Sequence, residues 1–139
     1  MSIPLDELLA DFAVGSSSSN EALNDVEHAF GKRLPDDYRA FLLRYNGGEG
    51  FIGKHYLVLW QVEQLVDFNK GYEISKYAPG FIVFASTGGG EGFAFDTRAN
   101  PYPIRQVPFI GMSLEDGIFV AENFTRLLER MIETEGSLF

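Results

Sequence analysis

At Asn46-Gly47-Gly48 the hydrophobic pattern of the chain changes period, and this switch limits the fold more than any other feature of the sequence. Before it, apolar residues recur at helical spacing. Leu5, Leu8, Leu9 and Phe12 predict a short amphipathic helix that stops at Gly15, and Ser16 to Ser19 read as a flexible connector. Ser18 and Glu21 have capping-box spacing, and Ala22, Val26, Ala29 and Phe30 continue a second helical face as far as Gly31. Pro35 suits a first turn, Asp36 and Asp37 complement the helix dipole, and Tyr38, Phe41, Leu42 and Tyr45 follow at i, i+3, i+4 and i+7. This third helix is expected to end at Asn46-Gly47-Gly48, with Gly47 taking the left-handed terminal conformation.

After the switch come short runs rich in aromatic and β-branched residues, HYLVLWQ, FIVFAS, FAFD and RQVPFI, each bounded by Gly, Pro, Asn or Ser. These are expected strands. A helical pattern in VEQLVDFNKG interrupts them, ending at Gly71, and a last helix is expected from the cap Asn123, burying Phe124, Leu127, Leu128 and Met131. The order of elements predicts an α+β fold: N-terminal helices, a mainly antiparallel twisted sheet and a closing C-terminal helix. At 139 residues the chain is expected to form one domain, 1–139, in which 1–19 supplies the N-terminal helix and Ser-rich connector. Alternation places Tyr56, Val58 and Trp60 on one strand face and His55, Leu57 and Leu59 on the other, both apolar, so this strand is expected to be buried on both sides, with Trp60 in the core.

The sequence GGEGF occurs twice, at 47–51 and 89–93. Its flanks share nothing, so it is not a repeat unit. Gly48, Gly50 and Gly53 match G-x-G-x-x-G, but a dinucleotide site needs a strand before that motif and a helix after it, and the order here is reversed. No G-K-[ST] follows either copy. Turn chemistry is the better account, with Gly88 to Gly90 supplying the positive φ of a hairpin.

Charge and composition exclude further classes. The formal charge is −9, and residues 1–31 hold six acids with no Lys or Arg, so the field repels phosphate and nucleic acid is not an expected ligand. No run approaches the roughly 18 apolar residues of a membrane span. The acid-containing N-terminus MSIPLDELLADFAV does not read as a secretory signal, and a cytoplasmic location is expected. With no Cys and only His28 and His55, no metal site, cofactor site or thiol nucleophile is read. His28 falls in an acidic helix and His55 at a strand start, neither within a nucleophile motif, so no catalytic residues are assigned.

The string LPDDYRAFLLRYNGGEG, residues 34–50, resembles the most recognisable element of the SUKH superfamily, which unites fungal cell-wall-synthesis regulators with many bacterial immunity proteins. Leu34, Pro35, Asp37, Tyr38, Phe41, Leu42, Asn46 and Gly47 carry the resemblance. A second block, FIVFASTGGGEGFAFD, places Phe84-Ala85, Gly89-Gly90 and Phe95-Asp96 in the family's order, although Ser86-Thr87-Gly88 stands where the family often has an acid or Asn. AENFTRLLERM resembles the closing helix. The resemblance implies an α+β domain that binds another protein without catalysis, typically, in bacterial members, a secreted toxin that is often a nuclease. The alternative is a regulatory or scaffold module of the cell-wall type. Signature residues of this kind identify scaffold. The expected partner is a basic toxin domain, and the expected contact residues are Asp36, Asp37, Glu49, Glu91, Glu115 and Asp116, acids near helix starts or loop tips.

Overall fold

The computed structural model describes residues 4–138. In chain order the elements are α1 (Leu5–Leu8), β1 (Asp11–Val14), α2 (Asn20–Phe30), α3 (Asp36–Arg44), β2 (Gly48–Ile52), β3 (His55–Leu59), α4 (Val62–Gly71), α5 (Ile74–Tyr77), β4 (Phe81–Ser86), β5 (Glu91–Asp96), β6 (Ile104–Pro108), β7 (Ile118–Ala121) and α6 (Phe124–Glu133). The seven strands form one antiparallel sheet in sequence order, β1 to β7. The fold is α+β, with helices at the N-terminal end and a closing helix at the C-terminal end.

The helical faces pack as their spacing dictates. Tyr38 lies at the centre of the core, its ring 5.0–5.3 Å from those of Phe84, Phe95 and Phe124, and Phe84 stacks on Phe95 at 4.2 Å. Such aromatic contacts add roughly 0.5–1.5 kcal/mol each beyond the area they bury. The Tyr38 hydroxyl is buried with no hydrogen-bond partner among the described residues, and burial holds it well above the ordinary tyrosine pKa. Leu34, Phe41 and Leu42 are buried beside it, and α6 contributes Phe124, Leu127, Leu128 and Met131 from a start capped by Asn123, which accepts from the Arg126 N–H at 2.8 Å.

The N-terminal segment departs from the sequence reading. Residues expected to continue a helix to Gly15 instead leave α1 after Leu8 and pair as β1 with β2, Phe12 opposite Gly50 and Val14 opposite Gly48. The segment 1–19 is therefore not only helix and connector. The cause lies in the glycines across from it: Gly50 has φ 148°, and a Cβ there would meet Asp11 O at 2.6 Å. The first GGEGF is bare backbone that lets an edge strand approach, not a helix end. The cap of α2 is Ser19, which accepts from the Ala22 N–H at 3.1 Å, rather than Ser18. Helix α3 ends at Arg44, so left-handed Gly47 lies beyond it. The second copy does serve a hairpin: Gly88 (φ 80°) and Gly90 (φ 94°) turn β4 into β5.

Two buried polar side chains hold the sheet's irregular parts. Strand β3 pairs with β4 only through Val58–Ser86 and Leu59–Ala85. Where it leaves, Asn69 of α4 takes its place: its Oδ1 accepts from the Val83 N–H at 2.9 Å and its Nδ2 donates to the Val83 C=O at 2.8 Å. Asp96, at the end of β5, accepts from Arg98 N at 3.1 Å, from Arg98 Nε and Nη2 at 2.9 Å each, and from Arg105 Nε at 3.0 Å. The Arg98 guanidinium and its backbone N–H, with Arg105, hold this carboxylate down to about 2 despite its burial.

Candidate functional site

Antiparallel register decides which side chains share a face of the sheet. On β1 to β3 the core side takes Phe12, Ile52, Leu57 and Leu59, all buried. The opposite side takes Asp11 and Ala13 from β1, Glu49 and Phe51 from β2, and Tyr56 and Val58 from β3, with Asp11 opposite Phe51, Phe51 opposite Tyr56, and Glu49 opposite Val58. This side is open. Asp11, Ala13 and Glu49 are exposed, Phe51 is 49% and Tyr56 37% exposed, and Val58 is only partly covered. The expectation that β3 is buried on both sides is therefore corrected: its alternation is as read, but on its second side Tyr56 is exposed and Val58 only partly covered. Trp60, two residues on, is 5% exposed, as expected for a core position.

The Phe51 and Tyr56 rings meet edge to face at 5.2 Å and 79°. The Tyr56 hydroxyl donates to Glu49 Oε2 at 2.5 Å, and this bond to the carboxylate pushes the phenol's pKa above its ordinary value. Gly88, in the second glycine loop, lies against the Tyr56 ring, a Cβ there meeting Cδ2 at 3.2 Å. Glu49 of the first GGEGF copy and Gly88, the residue before the second, thus meet at Tyr56 from neighbouring hairpins.

Along the same face the aromatic surface continues past Val58. Phe109 lies over Gly92, whose Cβ position is 2.7 Å from the ring, and stacks on Tyr72 at 4.4 Å and Trp60 at 6.1 Å. Phe68 meets Trp60 edge to face at 4.9 Å. Tyr72 is 46% and Ile110 93% exposed. A scatter of single exposed apolar residues needs no explanation, whereas a run of aromatics on one sheet face with acids at its border is the composition of a recognition surface.

The six acids named from the sequence fall in separate places. Asp36 is exposed beside Arg33, 3.4 Å away, at the rim of a cavity of about 490 Å³ with Pro101 and Tyr102. Asp37 is engaged inside the fold: its Oδ2 accepts from Thr125 N at 2.9 Å and Thr125 Oγ1 at 3.0 Å, joining the start of α3 to the start of α6. Glu91 accepts from Gln106 Nε2 at 2.6 Å and shares a cavity of about 400 Å³ with Tyr56 and His55. Glu115 and Asp116 occupy the turn before β7, where Asp116 accepts from the Ser113 hydroxyl at 2.9 Å. Glu49 alone lies on the open aromatic face. The sequence does not mark Phe51, Tyr56 and Tyr72 as contact residues, because nothing in strand alternation tells which apolar face is left uncovered.

The signature residues sit as scaffold does. Asn46 accepts from the Val62 N–H at 2.8 Å and donates to the Glu63 carboxylate at 2.9–3.0 Å, capping α4 from the end of α3. Glu27 receives the Leu34 N–H at 2.6 Å and Arg39 Nη1 at 2.8 Å, which holds the Leu34-Pro35 entry to α3. His28 is exposed, and His55 Nε2 lies 2.5 Å from the Thr134 carbonyl. Among the described residues no three His, Asp or Glu side chains are grouped as metal ligands would be. No helix among them is long and apolar enough to cross a membrane.

The SMI1/KNR4 family (SUKH-1) matches residues 18–130 of the chain. The uncharacterized protein YnaB of Bacillus subtilis (strain 168) is 24% identical over 132 residues, covering 94% of this chain and 87% of its own length. The family match spans α2 through most of α6 and so includes both glycine blocks and the β2 and β3 residues of the open face, but not β1.

Proposed function

The chain belongs to the SMI1/KNR4 family (SUKH-1), and from that membership we propose that it works by binding another protein, not by catalysis. The reading is a bacterial immunity protein, acting in the cytoplasm, that neutralises a cognate basic toxin by direct occlusion. The observation that carries it is the open sheet face, where Glu49 borders the exposed rings of Phe51 and Tyr56 in a chain of net charge −9. A negative field accelerates encounter with a basic nucleic-acid-binding surface, and aromatic side chains then supply the desolvated contact that slows release. The bacterial relative favours the immunity branch over the fungal regulators. Asp96 is held ionised by Arg98 and Arg105 and serves as a structural anchor.

The test is co-expression with the neighbouring open reading frame. Toxicity of that product alone, rescue of growth by this chain and co-purification as a one-to-one complex are the expected results. Absence of both rescue and complex moves the assignment to a regulatory module with several weaker partners.

A further inference from the structure

We propose that Phe51, Tyr56 and Glu49 form a seat for an arginine side chain projecting from the basic protein partner. The proposal rests on the partner-binding reading above and adds the chemistry of its central contact. Three features of the corner suit a guanidinium. The two half-exposed rings meet at 5.2 Å edge to face, so each leaves part of its π-surface to solvent, where a planar cation can lie. The Tyr56 hydroxyl anchors Glu49 through Oε2 at 2.5 Å, which fixes the carboxylate beside the rings before any partner arrives. Glu49 Oε1 has no hydrogen bond or ion pair among the described residues and remains to accept from the cation.

Among the described residues no cation is paired with this corner. Lys54, at the tip of the β2–β3 hairpin, pairs with Glu135 at 3.3 Å, and Arg44 is directed to Asp6 at 3.7 Å. Asp11, exposed on β1 opposite Phe51, adds a second negative charge on the other side of the ring. Charge complementarity therefore selects a basic occupant. A second copy of the chain would bring another −9 and the same acids against this face, which disfavours self-association. Arginine suits the seat better than lysine because its flat guanidinium can stack on a ring while its N–H groups reach the carboxylate in plane. The apolar strip through Val58 to Phe109 and Tyr72 is then available to the surface that carries the arginine.

The experiment is a titration of the ¹⁵N-labelled chain with an eight-residue peptide of alternating Arg and Gly, followed by amide chemical shifts, beside the same peptide with citrulline in place of arginine. Shifts centred on residues 49–51 and 56–58 are expected with the arginine peptide and none with the citrulline peptide. Glu49→Gln and Phe51→Thr should each weaken binding about fivefold, in the range of exposed ion pairs and cation–π contacts. Asp25→Asn, which removes an exposed acid on α2, should leave it unchanged. Urea midpoints of the variants confirm that the fold is retained. Shifts spread over the acidic termini, or equal weakening by Asp25→Asn and Glu49→Gln, would overturn the seat. A concentration-dependent dimer abolished by Phe51→Thr would also overturn it, assigning the face to a second copy. The two proposals fail separately: rescue by the neighbouring gene that survives Glu49→Gln and Phe51→Thr removes the seat and keeps the immunity role, whereas arginine-peptide shifts at the seat without rescue do the reverse.

Discussion

Replacing Asp96 by Asn isolates the ion-pair network at the end of β5. The carboxylate is 4% exposed and receives four N–H groups, three from Arg98 and one from Arg105. Its pKa lies at about 2, against 3.8 for a free side chain. At about 1.4 kcal/mol per unit, the difference corresponds to about 2 kcal/mol of stability at neutral pH. Because the folded pKa is depressed, that contribution is fully present above about pH 5 and is lost as pH falls through 4 toward 2; by pH 3 about half of it is gone. Asparagine keeps one acceptor but removes the charge and turns an N–H₂ toward two guanidinium groups. Since Arg98 and Arg105 keep side-chain exposures of 47% and 29%, the cost should lie near 2–3 kcal/mol, below the range for a fully buried broken pair. Urea unfolding followed by the fluorescence of Trp60, the lone tryptophan and buried in the core, measures it at pH 7, 5, 4 and 3. The gap between the two proteins should be constant from pH 7 to 5 and then narrow. A gap below about 0.5 kcal/mol at pH 7, or one that does not change down to pH 3, would refute the account of Asp96 as an ionised structural anchor.

Asn69→Leu should destabilise by about 2–4 kcal/mol, since it leaves the Val83 N–H and C=O without partners in the interior, and hydrogen exchange at the Val83 amide should accelerate. Tyr38→Phe should be neutral or stabilising by up to about 1 kcal/mol in urea denaturation, because the hydroxyl it deletes is buried without a partner. Gly50→Ala should release β1, because the added methyl collides with Asp11 O and the backbone is left-handed; loss of exchange protection at residues 11–14 with protection of β4 and β5 intact is the expected signature.

The elements read correctly from the sequence are those whose cause is local. FIVFAS is β4 and VEQLVDFNKG is α4 to the residue, α2 closes at Gly31, and Asn123 caps α6, because period and capping chemistry are complete within a few neighbouring residues. Strand β1 was not legible. Phe12 also satisfies a helical period, and only the glycines some 38 residues later make a strand the better partner. Strand β7 is four residues long and α5 also four, too short for a period to emerge. The acids of the surface were readable as exposed, but their roles were not: Asp37 is spent on capping α6, 88 residues away, while Glu49 is presented beside two rings.

By itself the sequence determined helices α2 and α3, the strands that follow Asn46-Gly47-Gly48, which side chains share a face in each periodic element, and the scaffold residues of its family. The tertiary structure alone decided that β1 docks on the glycines of β2, that Asp96 meets two arginines, and that one apolar face of β3 stays uncovered. Periodicity reports which side chains share a face, whereas which face is then covered depends on elements that arrive from elsewhere in the chain, and no local pattern encodes their arrival.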